Sequence, residues 1–566
     1  MADFRLNYIP PPPPPPQSRR PAFRPYFSGV RVAISLPYSH IQMSASAIPE
    51  SHVVLLSYDA WGHIRPLCAL AAKLPQTKPT YVTFVVPQGC VSRVEAEVFR
   101  NFNSEDAQIR SWIRIVSLQT GADAQSLDRM TTFNQKFHDI YKQLLNGLPL
   151  TCADTGKTFD SVRTPDSLIY DIICGPAVQA AVKVDETSSV KLLAWFSGQL
   201  ASNYHLFSPE FRGGEGDLRL RVMEEVQRTG RPYGEVADEI IFDSYTDRVV
   251  TVPGLPPVYE YEFSPQEMFM KGVVGSVILT IYSAYEICHG LVLSTAEAYE
   301  AEAIKATRAW FNNLGKEVYV VGPLFQTGTN SIKGEYQQSP LATEIAEFLD
   351  RTLELQGPSS LLYFSLGSTF WPTKPETVWA VVDVLIERNI PFIMSVASPF
   401  ASIPDEVHAK VKAYGKGLVS PWSPQQAILA HPATGWFITH CGQNSTMEAI
   451  CAGVPVICWP FAGDQPLNAI RLSVVLNVGY ELLEVRTGRL GLKPLYRTGK
   501  APRGTVEAVR EEARSVLDNA FGEDGRVKRV NMEKLRDSAL SAWKEGGPAK
   551  KEMERLVSVL GDRAQL

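Results

Sequence analysis

From His52 onward the chain alternates short apolar runs with longer stretches of helical period. HVVLLS is followed by a helical pattern through PLCALAAKL and then by TYVTFVV, a strand–helix–strand unit. SLIYDII, KLLAWF and GLVLST predict further strands. Strands that are apolar throughout and separated by helices imply a parallel sheet covered on both faces. Residues 208–270, rich in Gly, Pro and charge, read as helices and loops outside that sheet and as a lid over an acceptor. After EVYVVGPL a polar run, 326–339, predicts a linker between domains. The pattern then restarts, with SLLYFSL, PFIMSV, TGWFIT and VPVICW as strands. Past Thr505 come charged amphipathic helices that wrap the second domain and return to the first.

The expected fold class is therefore α/β, with two Rossmann-like parallel-sheet domains facing across a cleft. The boundaries read as an extension over 1–50, a first domain over 51–321, a linker over 322–340, a second domain over 341–548, and a returning helix over 549–566. A chain of 566 residues is too long for one core, which agrees with this division. Within the extension, seven consecutive prolines at 10–16 favour polyproline II and argue against the amphipathic helix of a presequence, although the segment is arginine-rich. It reads as disordered.

Charge and cysteine usage exclude more than they assign. A formal net charge of −5 gives no broad attraction to nucleic acid or anionic membrane. No apolar stretch reaches the roughly 18–20 residues of a membrane span. Eight scattered cysteines without a CxxC pair predict reduced thiols and a cytosolic protein.

The stretch 422–468 carries most of the chemistry. Strand GWFIT ends at His440, Cys441 and Gly442, and a helix is predicted to open at about Gln443 or Asn444. A helix start offers free N–H groups and a positive dipole end, which suits a diphosphate. Gly442 removes a Cβ from that approach, Asn444 and Ser445 add donors, and His440 donates from the strand end. Glu448, one turn on, is placed to accept from ribose hydroxyls. Trp422 offers a flat face to a base and Gln425 an amide to its edge. Taken singly, each has an ordinary explanation in packing or capping.

Together they do not. W-x-P-Q, L-x-H-P, T-H-C-G-x-N-S-x-x-E, G-V-P, W-P and D-Q-x-x-N occur in register. This run resembles the signature box of family 1 UDP-glycosyltransferases, and the likeness extends over residues 51 to about 560. The resemblance implies a GT-B fold with the nucleotide in the second domain. It implies Trp422 and Gln425 on uracil, His440, Asn444 and Ser445 on the diphosphate, Glu448 on the ribose, and Asp464 and Gln465 on the sugar. Gly367 and Ser368, in YFSLGS, match another donor-facing turn, and Ser197 aligns with a small hydroxyl residue near the sugar. Gln443 departs from the tryptophan that plant members usually carry.

In the first domain His63 follows the first strand, in YDAWGHIRP, where an imidazole can accept a hydroxyl proton. Asp171, at the end of another strand, is placed to orient it. Both occupy the positions of the family's catalytic pair. The resemblance implies an inverting transfer of a sugar, most simply glucose given Gln465, to a small acceptor hydroxyl, by an enzyme acting as a monomer. No DxD triad is present, so no metal or other cofactor is expected beyond the UDP-sugar co-substrate. A sugar-nucleotide epimerase or a non-catalytic nucleotide-binding protein on the same scaffold are the competing readings. Phe133, Phe137, Tyr141, Phe207, Phe211, Met268 and Phe269 suggest a lipophilic acceptor pocket, whose ligand stays open among phenolic, sterol-like, fatty and terpenoid compounds.

Because the proline-rich segment buries nothing by this reading, deleting residues 1–42 should leave turnover and melting temperature nearly unchanged. A large loss of either in the truncated protein would make the extension structural.

Overall fold

A computed structural model describes residues 48–119, 126–183, 189–267, 272–324 and 329–561. Most of the extension read over 1–50 lies outside them. The first sheet has seven strands: β1 (Ser51–Leu56), β2 (Thr80–Pro87), β3 (Ile113–Leu118), β4 (Ser167–Asp171), β5 (Lys191–Phe196), β6 (Gly290–Leu293) and β7 (Glu317–Val320). Their order is β7-β6-β5-β4-β1-β2-β3, and every pair is parallel. The second sheet has six: β8 (Leu361–Ser365), β9 (Phe392–Ser395), β10 (Gly417–Ser420), β11 (Thr434–Thr439), β12 (Val456–Cys458) and β13 (Gly479–Glu481). They run in the order β10-β9-β8-β11-β12-β13, again all parallel. Both sheets are thus doubly wound, and each reverses its strand order once, between β1 and β4 and between β8 and β11.

The central strands show why the apolar runs are continuous. β1, β4 and β11 are buried at every position, because helices cover both faces. β3, β7, β10 and β13 escaped the sequence reading. Each ends a sheet and is short or interrupted by polar residues, as edge strands commonly are. β3, for example, carries Arg114, whose guanidinium donates to Thr83 Oγ1 and to the Asp160 carbonyl.

Seven helices position the cleft: α1 (Trp61–Thr77), α2 (Val91–Phe99), α3 (Thr329–Tyr336), α4 (Gln425–Ala430), α5 (Gln443–Ala452), α6 (Gln465–Ile470) and α7 (Pro548–Val559). α3 lies in the polar stretch between the sheets. α7 returns to the first core, where Met553, Leu556 and Leu560 are buried. Ser167 Oγ donates to the Leu560 carbonyl at 2.8 Å, and Trp543 Nε1 to that of Pro323 at 2.7 Å. The last helices therefore tie the two halves together. All eight cysteines are free thiols, seven of them buried. Among the described residues no helix is long and apolar enough to cross a membrane.

Candidate active site

Where strand order reverses, the loops after adjacent strands diverge to opposite faces and leave a crevice at the strands' carboxyl ends. His63 lies just past β1 and Asp171 ends β4, so the first crevice brings them together. Asp171 is almost fully buried, and its two oxygens divide the work. Oδ1 accepts from the Ile173 amide at 3.0 Å, and Oδ2 accepts from His63 Nδ1 at 2.7 Å. With Nδ1–H committed to the carboxylate, Nε2 is left as the ring's proton acceptor. Burial alone would lower the His63 pKa. The Asp171 charge and hydrogen bond, with a smaller contribution from Asp464, outweigh it and hold the pKa above 6.5.

The second crevice assembles the donor residues. β11 ends at Thr439, Cys441 takes φ +64°, and Gly442 caps α5. After β8, Gly367 takes φ +81°. Both glycines pack against the His440 ring. A Cβ at Gly367 would lie 2.8 Å from it and one at Gly442 2.5 Å from Nε2, so neither turn tolerates a side chain. Burial pushes His440 down to about 4, making it a neutral donor or acceptor, and its Nδ1 is buried without a hydrogen-bond partner. An orphaned ring nitrogen beside a helix N-terminus suits an anion's oxygen. Asn444 and Ser445 lie in the first turn of α5, and Ser368 is exposed beside Gly367.

Asn468 was part of the sequence motif without a role, and here it supports the turn. Its Nδ2 donates to the Cys441 carbonyl at 2.8 Å, and its Oδ1 accepts from Tyr299 at 2.6 Å. Asp464 faces the loop after β5, where Ser197 is buried, and accepts from the Gln199 amide at 3.2 Å. Burial raises Asp464 to about 6 against the pull of neighbouring amides. Gln465 is buried, with Oε1 accepting from the Phe461 amide at 2.8 Å.

Trp422, Gln425 and Glu448 also converge, with partners the sequence did not announce. Glu448 Oε1 accepts from Arg65 Nη1 at 2.8 Å and from Gln426 Nε2 at 2.7 Å, and Oε2 accepts from Gln425. Arg65, two residues past His63, also pairs with Glu97 of α2 at 2.9 Å and with Glu335 of α3. Glu335 in turn accepts from the amides of Gln426 and Ala427 at the start of α4. Burial would raise Glu97, yet Arg65 and Arg100 bring it down to about 2. Arg93 of α2 places its guanidinium 3.5 Å from the Trp61 ring centroid and 4.3 Å from that of Trp422. The only sequence signal for this cluster was an arginine inside the otherwise apolar opening of α1.

The acceptor aromatics need correcting. Phe137, Tyr141 and Phe207 are buried in the first core, and Phe211 is 83% exposed. These four pack or face solvent instead of lining a pocket, because the helices that carry them turn their apolar side to the sheet. Phe133 is half-buried against the same core. Met268 and Phe269 lie outside the described residues.

A family model described as UDP-glucoronosyl and UDP-glucosyl transferase matches residues 322–484. The UDP-glycosyltransferase eriJ of Hericium erinaceus is 31% identical over 511 residues, 88% of this chain and 96% of that protein. The chain belongs to the UDP-glycosyltransferase family. It is therefore a glycosyltransferase that draws on a UDP-sugar. The (R)-mandelonitrile beta-glucosyltransferase of Prunus dulcis is 26% identical, covering 88% of this chain and 95% of its own. The structure of Phytolacca americana UGT2 complexed with UDP-2fluoro-glucose and pterostilbene matches with a TM-score of 0.63 at 21% identity, covering 90% of this UDP-glycosyltransferase and all of that chain. That likeness establishes the GT-B fold.

The geometry sets a test of the His63–Asp171 pair. In an Asp171→Asn variant burial remains while the counter-charge goes, so the His63 pKa should fall below its wild-type value, read by NMR titration of the ring. An unchanged pKa would mean that the charge of Asp171 does not set it.

Proposed function

We propose that this enzyme is an inverting glucosyltransferase that acts on a hydroxyl of a small lipophilic acceptor, with His63 as general base. The observation that carries the reading is the 2.7 Å His63–Asp171 contact, in a crevice that faces Asp464 and the start of α5. His63 Nε2 takes the acceptor's hydroxyl proton as that oxygen bonds to the sugar's anomeric carbon. The bond from that carbon to the UDP oxygen breaks on the opposite side, and its electron pair leaves with UDP. Configuration inverts, so an α-linked donor gives a β-glycoside. Asp171 stabilises the imidazolium that forms. Charge developing on UDP meets the N–H groups that open α5, with His440, Asn444 and Ser445.

Trp422 stacks on uracil, Gln425 reads its edge, and Glu448 accepts from the ribose. Gly367 and Ser368 shape the second donor-facing turn. Asp464 and Gln465 bind the sugar hydroxyls, with Ser197 across the cleft. The reaction needs no metal by this reading, since the helix start supplies the electrostatic role, and the enzyme works as a monomer in the cytosol. Glucose is favoured by the β-glucosyltransferase and the fluoroglucose complex among its relatives.

His63→Ala should lower turnover by about 10²–10⁴-fold with UDP affinity nearly unchanged. In the wild type kcat should fall as pH drops through the raised His63 pKa, because only the unprotonated ring accepts a proton. Wild-type turnover in the variant would remove His63 from the mechanism.

Donor choice should follow Gln465. With Oε1 already accepting from Phe461, the carbonyl keeps one lone pair and the amide two N–H donors for adjacent equatorial hydroxyls. A lost contact in a desolvated site costs on the order of 1–3 kcal/mol. Against an acceptor panel read by mass spectrometry, kcat/KM should rank UDP-glucose above UDP-galactose and UDP-glucuronate. A preference for either of the others would show that Gln465 does not select the sugar.

A further inference from the structure

The residues read as donor ligands are already partnered, and Arg65, Gly62 and Arg93 reach three of them from the opposite domain. Both oxygens of Glu448 are taken, one by Arg65 and Gln426 and the other by Gln425. The Asn444 side-chain amide donates to the Gly62 carbonyl beside His63. Arg93 fills the space between two indoles, Trp61 of the first domain and Trp422 of the second. The half-open pocket lined by Arg65, Glu97, Asn444, Met447 and Glu448 offers about 40 Å³, room for water and not for a nucleotide.

These contacts imitate the donor piece by piece. A guanidinium is flat and delocalised, so it lies on an indole as a pyrimidine does. An arginine N–H on Glu448 takes the lone pairs that ribose hydroxyls would use. We propose that Arg93 and Arg65 are internal competitors of the donor nucleotide, and that a UDP-sugar binds by displacing Arg93 from Trp422 and Arg65 from Glu448. The proposal rests on the reading of Trp422 and Glu448 as uracil and ribose partners.

The two arginines are held differently, and this makes the exchange feasible. Arg65 keeps Glu97 and Glu335 when Glu448 turns to the ribose, so its charge never goes unpaired. Arg93 is held by ring faces, and its Nη2 is buried without a hydrogen-bond partner. Burial and the nearby Arg65 charge lower its pKa to about 10, so the position disfavours its cation. A weakly held plug over the base site raises the donor concentration needed without blocking the reaction. Its departure also frees Trp61, two residues before the base, so donor binding reaches the catalytic loop before an acceptor does.

The test is calorimetric titration of UDP into the full-length wild type, Arg93→Ala, Trp422→Ala and the double variant. Arg93→Ala should bind UDP about three- to thirtyfold more tightly, the range cation–π contacts span from exposed to desolvated sites, and should lower the donor KM while the acceptor KM holds. Trp422→Ala should weaken binding, and in its background Arg93→Ala should have no further effect. Equal or weaker binding in Arg93→Ala, with Trp422→Ala still impaired, overturns the competition and makes Arg93 a bystander or a donor ligand. If Trp422→Ala binds UDP as the wild type does, the uracil reading itself fails. Arg65 is left intact because its removal takes the shared cation from three buried carboxylates and endangers folding.

Discussion

A parallel strand passes its chain on at the carboxyl end, to a helix whose first N–H groups point back toward the same end. Everything in this active site follows from stacking that unit twice, with the two crevices face to face. In the first domain the crevice between β1 and β4 holds His63 and its partner Asp171. In the second, the crevice between β8 and β11 holds two glycine turns and the start of α5. Neither crevice holds both the histidine–carboxylate pair and the glycine turns. The returning α7 and the contacts of Trp543 and Leu560 keep them in register. A helix that begins some eighty residues beyond the 422–468 motif is thus part of what holds His63 opposite it.

The charged groups at the seam obey a different rule. A buried carboxylate is tolerable only with a partner, and Glu97, Glu335 and Glu448 share Arg65 from three separate elements. Such a cluster contributes little net stability, but breaking it by removing one partner typically costs about 3–5 kcal/mol. Its value here is positional. α1, α2, α3 and α5 meet at one guanidinium, so Glu448 and the turn of α1 that carries His63 share a joint. The orientation of the domains and the position of Glu448 are thereby coupled through Arg65.

The sequence was legible where physics is local. Continuous apolar runs betrayed the central strands because both faces of a parallel sheet are covered. The donor helix was legible because a strand, a glycine turn and an Asn-Ser pair make a start signal within five residues. Edge strands β3, β7, β10 and β13 were missed because short or polar edges lack that signature. The aromatics assigned to the acceptor were misplaced for a related reason. Aromatic content says that a segment seeks burial, and Phe137 and Tyr141 found it in the core. Arg65 and Arg93 were invisible as a pair, since Glu335, Glu448 and Trp422 lie hundreds of residues away and no local period encodes an ion cluster between domains.

Gln443 illustrates how a departure from a family pattern can be absorbed. It occupies the first position of α5, where plant relatives resembling this chain carry tryptophan, and it is nearly fully buried. An amide there would be costly without a partner. The first domain supplies one. Gln443 Nε2 donates to Thr295 Oγ1 at 3.3 Å, and Thr295 donates to Glu300 at 2.6 Å. Glu300 accepts from the Leu200 amide, three residues past Ser197. Burial raises Glu300 to about 7, so near neutrality this carboxyl exists in both forms while Thr295 and Leu200 hold it. A tryptophan at 443 has one N–H and no acceptor, and its bulk would press on the loop that carries Thr295. The glutamine instead connects the turn before α5 to the loop after β5 by hydrogen bonds. Its Oε1 remains buried without a partner, directly beside the donor turn. A polar atom left unpaired at the start of α5 is poor packing for a core, and the amide keeps beside the His440 turn an acceptor that a tryptophan would not supply.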